Sequence, residues 1–279
     1  MTFFSNYLSD YCKKDYRVMK QAFDKYSTYC SLNGNSRALR NPDTATIERF
    51  TEFLQKTSKG TGAASTYGRF RKAVIQATRH GIFKENPCAG IKCTSGNNDL
   101  IKDILSDDEI RIITMTHYPN ESLEIRKAFI FSLYTGMRYC DVKTLRYSNI
   151  DFANRLICFE QAKTKNRSSR CVVYIPLRDD LIRLLGKRSA EKKDLIFRLP
   201  SHPTCLKHLK KWTKAAGIDK HITWHCARHS FATNILKNGA DIKVVAELLG
   251  HSGLKYVEKY TRAVNQMKVT AINSLPPII

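Results

Sequence analysis

The first third of the chain carries its hydrophobic residues at helical spacing. In the segment after residue 43, Ile47, Phe50, Phe53 and Leu54 lie on one side of a helical repeat. Apolar residues with that period form the buried face of an amphipathic helix. Asn-Gly at positions 33–34 and Asn-Pro at 41–42 are turn signals. The region is therefore predicted to contain short helices joined by polar turns.

A further helix is predicted from Ser65, as its N-cap, to His80, with Gly81 ending it. Its buried face has four members: Tyr67, Phe70, Val74 and Ala77. Three polar residues remain outside: Arg69, Lys72 and Gln76. The hydrophobic period then disappears after Asn-Pro at 86–87. We interpret residues 96–104 as a linker between a domain of residues 1–95 and a second domain of residues 105–279.

The second domain opens with Ser106 and Glu109, which have the spacing of a helix capping box. The next helix covers residues 124–134 and should end at Gly136, after which Arg138 starts another helical turn. Two β-prone runs, 155–160 and 171–175, flank a basic connector at 162–169 and predict a hairpin. The pattern is helical again from residue 178. The fold is predicted to be mainly α, with one small antiparallel sheet in an α+β second domain.

The charge of the chain narrows its partners. Its 279 residues include 47 Lys and Arg against 25 Asp and Glu, a formal net charge of +22. Such an excess favours a polyanionic partner such as nucleic acid, although a basic surface kept for solubility gives the same charge. The nine cysteines have neither disulfide-framework nor metal-ligand spacing, and no run approaches the roughly 18 apolar residues of a membrane span. A cytoplasmic, nucleoid-associated protein that contacts no membrane is expected.

Residues 222–262 contain the densest group of chemically capable side chains, namely His225, Arg228, His251 and Tyr260. Taken singly, each has a structural explanation. The first two are i, i+3 neighbours on a helix, and His251 directly follows a predicted helix stop. Tyr260 and Tyr256, four residues apart, are compatible with two packed aromatics. Function is therefore indicated only by the whole group.

As a whole, the group resembles the C-terminal motifs of the tyrosine recombinase (phage integrase) family. Those motifs are His-x-x-Arg-His, then Leu-Leu-Gly-His, then a tyrosine nine residues on. Residues 135–141, Thr-Gly-Met-Arg-Tyr-Cys-Asp, are similar to the family's first arginine motif, and Lys163 stands where its hairpin lysine is expected. The resemblance covers most of the chain and is strongest from 133 to 262. It implies a helical core-binding (SAM-like) domain followed by a catalytic domain.

The resemblance implies that Tyr260 is the nucleophile of a site-specific DNA recombination reaction. Its expected helpers are Arg138, Lys163, His225, Arg228 and His251. These residue types suit the chemistry, because paired guanidiniums compensate the charge of a phosphodiester transition state. A phenol with a pKa near 10 can both attack phosphorus and leave again. The base is expected to be His225 and the acid Lys163, while His251 would hydrogen-bond a phosphate oxygen.

Neither a metal nor a nucleotide cofactor is expected. The arginines already supply the compensating charge, no carboxylate cluster suits Mg²⁺, and no phosphate-binding Gly-x-x-x-x-Gly-Lys-Ser/Thr loop is present. The phosphotyrosine conserves the bond energy. Three positions depart from the family pattern: Asp141 replaces the usual Glu, Ala227 a common Leu, and Arg262 a frequent His. None removes a catalytic group, but the shorter Asp141 leaves the contacts that orient Arg138 open to change.

Duplex DNA at specific sites is the expected partner. Candidate DNA-binding residues are Arg69, Arg71, Lys72, Arg79, Lys165 and Arg167. The family implies a homo-tetramer on two DNA sites and allows a monomer in the free protein. The task of the enzyme, whether integration or excision of a mobile element or Xer-type resolution, stays open, as does any need for accessory proteins.

Three alternatives remain at the level of sequence. A type IB topoisomerase would share the phosphotyrosine chemistry, and a non-catalytic DNA-binding protein would share the fold. Within the recombinase reading, Tyr256 is a rival nucleophile because it lies one helical turn from Tyr260.

Overall fold

The chain divides after Ile101 into two units, Met1–Ile101 and Lys102–Ile279. The computed structural model describes residues 3–9, 11, 15–94, 103–162, 172–186, 191–251, 253, 254 and 257. The predicted linker at 96–104 falls almost wholly outside these ranges, so its bounds stay predictions. No helix within the described ranges combines the length and the apolar content needed to cross a membrane.

The described part of the first unit is helical and has an aromatic core. Its helices are α1 (Phe3–Ser9), α2 (Tyr16–Leu32), α3 (Thr44–Thr57) and α4 (Gly62–Arg79), with a 3₁₀ turn at Arg37–Leu39. Tyr26, Phe50 and Phe70 are fully buried. The ring centroids of Tyr26 lie 4.5 Å from Phe70 and 4.9 Å from Phe50. This packing of large rings stabilises a unit that has no sheet in its described part.

Helix α3 follows the sequence pattern closely. The Asp43 carboxylate accepts the backbone N–H of Thr46 at 2.7 Å and so caps the helix. Ile47, Phe50 and Leu54 are all fully buried, as their spacing predicted.

Helix α4 begins three residues earlier than predicted, at Gly62 after Thr61, so the prediction of Ser65 as N-cap was wrong. Ser65 is already inside the helix, because its backbone N–H donates to the Thr61 carbonyl at 3.0 Å. The buried Ala63 extends the helix by adding a good helix former to the core face. The other end agrees with the prediction, with His80 as C-cap and Gly81 at φ +75°.

The described part of the second unit is mainly helical. Its described helices are α5 (Asp107–Met115), α6 (Leu123–Thr135), α7 (Tyr139–Thr144), α8 (Asp179–Leu185), α9 (His202–Ala215), α10 (Trp224–Lys237) and α11 (Ile242–Leu248), with a 3₁₀ turn at Tyr147–Asn149. The predicted capping box of Ser106 and Glu109 is confirmed, with both reciprocal bonds present at the start of α5. Helix α6 packs against α10, and the Trp224 indole donates to Ser132 of α6 at 2.9 Å.

One small antiparallel sheet completes the second unit. Its strands, in spatial order, are β1 (Ile150–Asp151), β2 (Leu156–Glu160) and β3 (Val172–Pro176). The alternation of buried and exposed residues turns one face to the core, with Ile157 paired to Ile175 and both buried. Both predicted strands are present, each shifted at its start by one residue. Strand β1 was not predicted because two residues are too few to show a period. The mainly helical fold with one small sheet is confirmed.

Candidate active site

Helix α10 carries two of the predicted residues in opposite surroundings. His225 lies in the first turn and is exposed, whereas Arg228 lies one turn later and is 3% exposed. Trp224 fixes the start of the helix, because its buried indole is bonded to Ser132 and packs 5.2 Å from the ring of Tyr139. The i, i+3 pair therefore holds a guanidinium inside the unit and an imidazole at its surface.

The guanidinium of Arg228 binds two turns of backbone at once. Its Nη1 donates to the carbonyl of Gly136 at 2.9 Å, and its Nη2 donates to the carbonyl of Leu249 at 2.6 Å. Gly136 follows α6, and Leu249 follows α11. The fork geometry of arginine suits such double contacts, which a lysine cannot reproduce. Arg228 thus joins the two segments that carry Arg138 and His251.

Glycine is required in both of these turns. Gly136 has φ +66°, and an added Cβ would lie 2.5 Å from the ring of Phe231 and 2.9 Å from Leu249. Gly250 has φ +59°, and its Cβ would lie 2.6 Å from the side chains of Gln161 and Val173. A side chain there would be strained by the left-handed backbone and would also collide with packed neighbours.

Arg138 lies at the N-cap of α7 and points toward Asp141, one turn into that helix. Their side chains are 12% and 1% exposed, and Arg138 Nη1 lies 3.9 Å from Asp141 Oδ2. Both of those atoms are buried without a hydrogen bond to any residue in the described ranges. Buried polar groups are rarely left in that state, because each costs free energy. The pair therefore provides a nitrogen donor suited to an anionic ligand.

His251 is the fourth member of the site, and we call Arg138, Asp141, Arg228 and His251 the cluster. Its Nε2 lies 3.0 Å from Arg228 Nη2, and its backbone N–H donates to the Ala246 carbonyl at 2.9 Å. Since a guanidinium has no acceptor, the ring nitrogen that faces it must be the acceptor, and the ring proton lies on Nδ1. The structure thus brings Arg228 and His251 into direct contact.

Two further residues of the site were missed by the sequence argument. His229 is buried one turn after His225, and their rings meet edge to face with centroids 5.7 Å apart. Gln161 is 1% exposed and donates from Nε2 to the Leu249 carbonyl at 2.8 Å. His229 was visible as the second histidine of His-x-x-Arg-His. Nothing local marks Gln161, whose partner is 88 residues away.

Several predicted residues fall outside the described ranges. They are Lys163, Lys165, Arg167 and Tyr260, together with the rival Tyr256. Their nearest described neighbours are well fixed. The backbone N–H of Ala162 donates to Asp141 Oδ1 at 3.0 Å, and Val257 is fully buried in a hydrophobic cluster with Phe231 and Leu249.

The predicted DNA-binding residues of the first unit share helix α4. At about 100° per residue, Arg69, Lys72 and Arg79 fall on one strip of the helix, opposite the core, and Arg71 lies roughly 100° from Lys72. We call Arg69, Lys72 and Arg79 the α4 strip. Asp15 lies near it, because Arg69 and Lys72 both contribute to lowering the pKa of this carboxyl, after the larger effect of a hydrogen bond from Tyr11.

Tyr139, which follows Arg138 in the chain, is not suited to attack. Burial, followed by the nearby thiol of Cys205, raises the pKa of Tyr139 to about 12. Its hydroxyl donates to the Pro200 carbonyl at 2.5 Å. A phenol held in its neutral form by burial is a poor nucleophile.

Two family models match this chain and together account for most of it. One, described as the phage integrase family, matches residues 102–267, and one described as the phage integrase SAM-like domain matches residues 1–93. A tyrosine recombinase of Thermosipho africanus (strain TCF52B) is 30% identical, over 98% of this chain and 98% of its own. The tyrosine recombinase XerD of Lacticaseibacillus casei is 29% identical, over 84% of this chain and 83% of its own.

Solved structures show the same fold. An integrase of the Tn1549 transposon, in complex with transposon right end DNA, has a TM-score of 0.68 at 14% identity, covering 98% of this chain and all 100% of that one. A lambda integrase tetramer bound to a Holliday junction has a TM-score of 0.64 at 18% identity, covering 92% of this chain and 74% of that one. With the sequence matches, these findings favour a recombinase over the topoisomerase and non-catalytic alternatives. The chain belongs to the phage integrase family and is a tyrosine recombinase, an enzyme that recombines DNA at specific sites by cleaving and rejoining its strands.

Proposed function

We propose that Arg138, Arg228 and His251 hold the scissile phosphate of duplex DNA. One observation carries the proposal: Arg228, 3% exposed, contacts His251 at 3.0 Å and binds the carbonyl of Gly136, two residues before Arg138. Guanidiniums stay charged when buried, and charge in a protected site acts more strongly on an anion than charge in water. Arg138 Nη1, which has no hydrogen bond to any residue in the described ranges, would donate to a phosphate oxygen.

The reaction we propose is a transesterification through Tyr260. The phenol oxygen bonds to phosphorus, the bond from phosphorus to the 5′ oxygen breaks, His225 takes the phenol proton, and Lys163 gives a proton to the 5′ oxygen. The DNA 3′ phosphate is then esterified to Tyr260. Attack by the 5′ hydroxyl of a second strand reverses these steps, and the protein needs no outside energy source because the ester bond is conserved.

The described neighbours support these two roles. Val257 is buried in the same hydrophobic cluster as Leu249, and the three chain links between it and Tyr260 span roughly 11 Å at most. Lys163 directly follows Ala162, whose N–H is bonded to Asp141. Lys163 thus follows the fixed residue Ala162 by one position, and Tyr260 follows the fixed residue Val257 by three.

We further propose that two domains, residues 1–95 and 105–279, bind the duplex together and that four protomers act on two sites. The α4 strip and Arg71 in the first domain, and Lys165 and Arg167 in the second, would contact phosphates. The solved relatives support this proposal, since one is a complex with transposon DNA and another a tetramer on a Holliday junction. We expect the protein to act in the cytoplasm, at the nucleoid.

The covalent step is tested with a nicked duplex built on the genomic fragment that the protein binds most tightly. The nick lets the short strand downstream of cleavage diffuse away, so the covalent complex accumulates and appears on a denaturing gel. We expect an adduct with wild type and Tyr256→Phe, and none with Tyr260→Phe. An adduct with Tyr260→Phe but not with Tyr256→Phe would reverse the assignment of the nucleophile.

Strand exchange is tested by analysing the products formed on paired sites. The recombinase should give Holliday junctions and recombinant duplexes, whereas a topoisomerase gives only relaxed circles. Relaxed circles without junctions would contradict the exchange step while leaving the phosphotyrosine chemistry intact.

A further inference from the structure

Gln161 contacts the turn that leads into His251, and the residue after it contacts the helix that begins at Arg138. Gln161 directly follows β2, is 1% exposed, and stands two residues before Lys163. Its side-chain amide reaches across to the turn after α11 and donates to the Leu249 carbonyl at 2.8 Å. Because a carbonyl can only accept, the amide nitrogen must face it, which fixes the orientation of the side chain.

The Leu249 carbonyl also serves Arg228. It accepts from Gln161 Nε2 at 2.8 Å and from Arg228 Nη2 at 2.6 Å, which uses both of its lone pairs. Gly250 allows this approach, since a Cβ there would lie 2.6 Å from the Gln161 amide nitrogen. The turn that leads into His251 is therefore built around the Gln161 amide as well as around the arginine.

A second bond fixes the next residue. The backbone N–H of Ala162 donates at 3.0 Å to Asp141 Oδ1, on the helix that begins at Arg138. Residues 161 and 162 are thus tied to the segments of both arginines, one by a side chain and one by the backbone. The basic connector that carries Lys163 starts from this doubly held point.

From this geometry we propose that Gln161 is a positioning residue for leaving-group protonation, because it holds the start of the connector that leads to Lys163 against the Arg228 segment. The proposal rests on the role given above to Lys163 as the acid. The Cα of Lys163 lies within roughly 7 Å of the Cα of Gln161, so a shift at the amide is transmitted through only two chain links. A buried amide is costly unless bonded, and an apolar residue would fill the same space without that cost. The presence of an amide at this buried position therefore indicates that its hydrogen bond to Leu249 has a role.

The test compares an ordinary nicked substrate with one in which sulfur replaces the bridging 5′ oxygen. A thiol titrates near 8.5, far below an alcohol, so a thiolate leaves without a proton donor. Gln161→Met keeps length and bulk but has no donor. We expect it to slow single-turnover cleavage of the ordinary substrate by about 10²-fold, within the range of a lost general acid, and to cleave the sulfur substrate within about threefold of wild type.

Two control variants make the result specific. Lys163→Ala should show the same recovery on sulfur, because it removes the acid directly. Leu209→Ala removes a fully buried side chain of α9 and weakens the unit through its core alone, so it should slow both substrates equally, if at all. Thermal melting of all three variants measures how much stability each has lost relative to wild type.

Three outcomes would overturn the proposal. Ordinary cleavage by Gln161→Met at the wild-type rate would show that the amide bond is dispensable. Slow cleavage of both substrates, with Lys163→Ala recovered, would show that Gln161 acts on the fold or on Arg228 and not on the acid. If wild type cleaves but Lys163→Ala is not recovered by sulfur, the role of Lys163 itself fails, and the positioning role falls with it.

Discussion

The two units bury different kinds of residue. In the described part of the first unit the core is hydrophobic, and the only buried polar residues are Thr46 and Thr51 of α3. The second unit also buries side chains that can carry charge near neutral pH, including Asp141, Arg228 and His229. Burying charge costs free energy that a hydrophobic core avoids, so it is retained where it has a task. The first unit is therefore built for shape and surface charge, and the second for chemistry.

The largest effect is expected at the buried charge. Arg228→Lys keeps a cation but cannot bind the Gly136 and Leu249 carbonyls together, so adduct formation should fall about 10²- to 10³-fold. The measurement is the single-turnover rate at saturating protein. Arg183→Lys, the same exchange at an exposed position of α8, should leave the rate unchanged. Near-wild-type cleavage by Arg228→Lys would mean that the buried guanidinium of the second unit is not retained for chemistry.

The next effect concerns the tight turns of the second unit. Gly136→Ala combines left-handed strain with a 2.5 Å approach to Phe231, and should lower the free energy of unfolding by about 2–4 kcal/mol. Gly217→Ala is the matched control, since it has φ +67° but nothing within 4 Å of the added Cβ. It should cost only about 1 kcal/mol. Equal losses in denaturant titrations would mean that close packing at Gly136 is unimportant.

A smaller effect is expected at the surface of the first unit. Lys72→Ala and Arg79→Ala should each lower the slope of log affinity against log salt by about 1, because each removes one phosphate contact from the α4 strip. Cleavage at saturating protein should not change. Arg71→Ala removes the phosphate contact proposed for another side of the helix and should lower the slope likewise. A slope unaffected by any of the three would place the DNA elsewhere.

The smallest effect concerns a helix cap in the first unit. Hydrogen bonds from the Thr46 hydroxyl and backbone N–H lower the pKa of Asp43, so its carboxylate stabilises the folded state at neutral pH. Asp43→Ala should cost about 1 kcal/mol. A lowered pKa means that this stability is complete above the unfolded pKa of about 3.9 and is lost as the pH falls through the folded value. Denaturation should therefore show a larger stability difference between wild type and Asp43→Ala at pH 7 than at pH 3. Asp43→Asn, which keeps an acceptor, should lose less stability than Asp43→Ala at pH 7.

The sequence predicted what depends on local pattern. The periodic apolar residues of α3, the capping box at Ser106 and the glycine stop at Gly136 each contain their own signal within a few residues. The prediction of Ser65 as N-cap was wrong because the two alanines before it are good helix formers and extend the helix toward the N-terminus. The preference of serine for the N-cap position does not take such preceding residues into account.

The residues of the candidate site likewise fall into those that a local motif reveals and those that it does not. Arg228 and His251 were recognised from motif spelling, and the structure brings them to 3.0 Å. Gln161 was missed because its meaning lies in a bond to a carbonyl that is 88 residues distant. Pattern reveals residues that carry chemistry of their own, whereas residues that act through others become visible only through contacts.

The residue that becomes linked to DNA can be identified directly. Wild-type protein is trapped on the nicked duplex, digested with protease and nuclease, and its nucleotide-bearing peptide is sequenced by mass spectrometry. We expect a phosphodiester on Tyr260, carrying the 3′ end of the cleaved strand. A nucleotide on Tyr256 or Tyr139, or attachment through a 5′ phosphate, would contradict it.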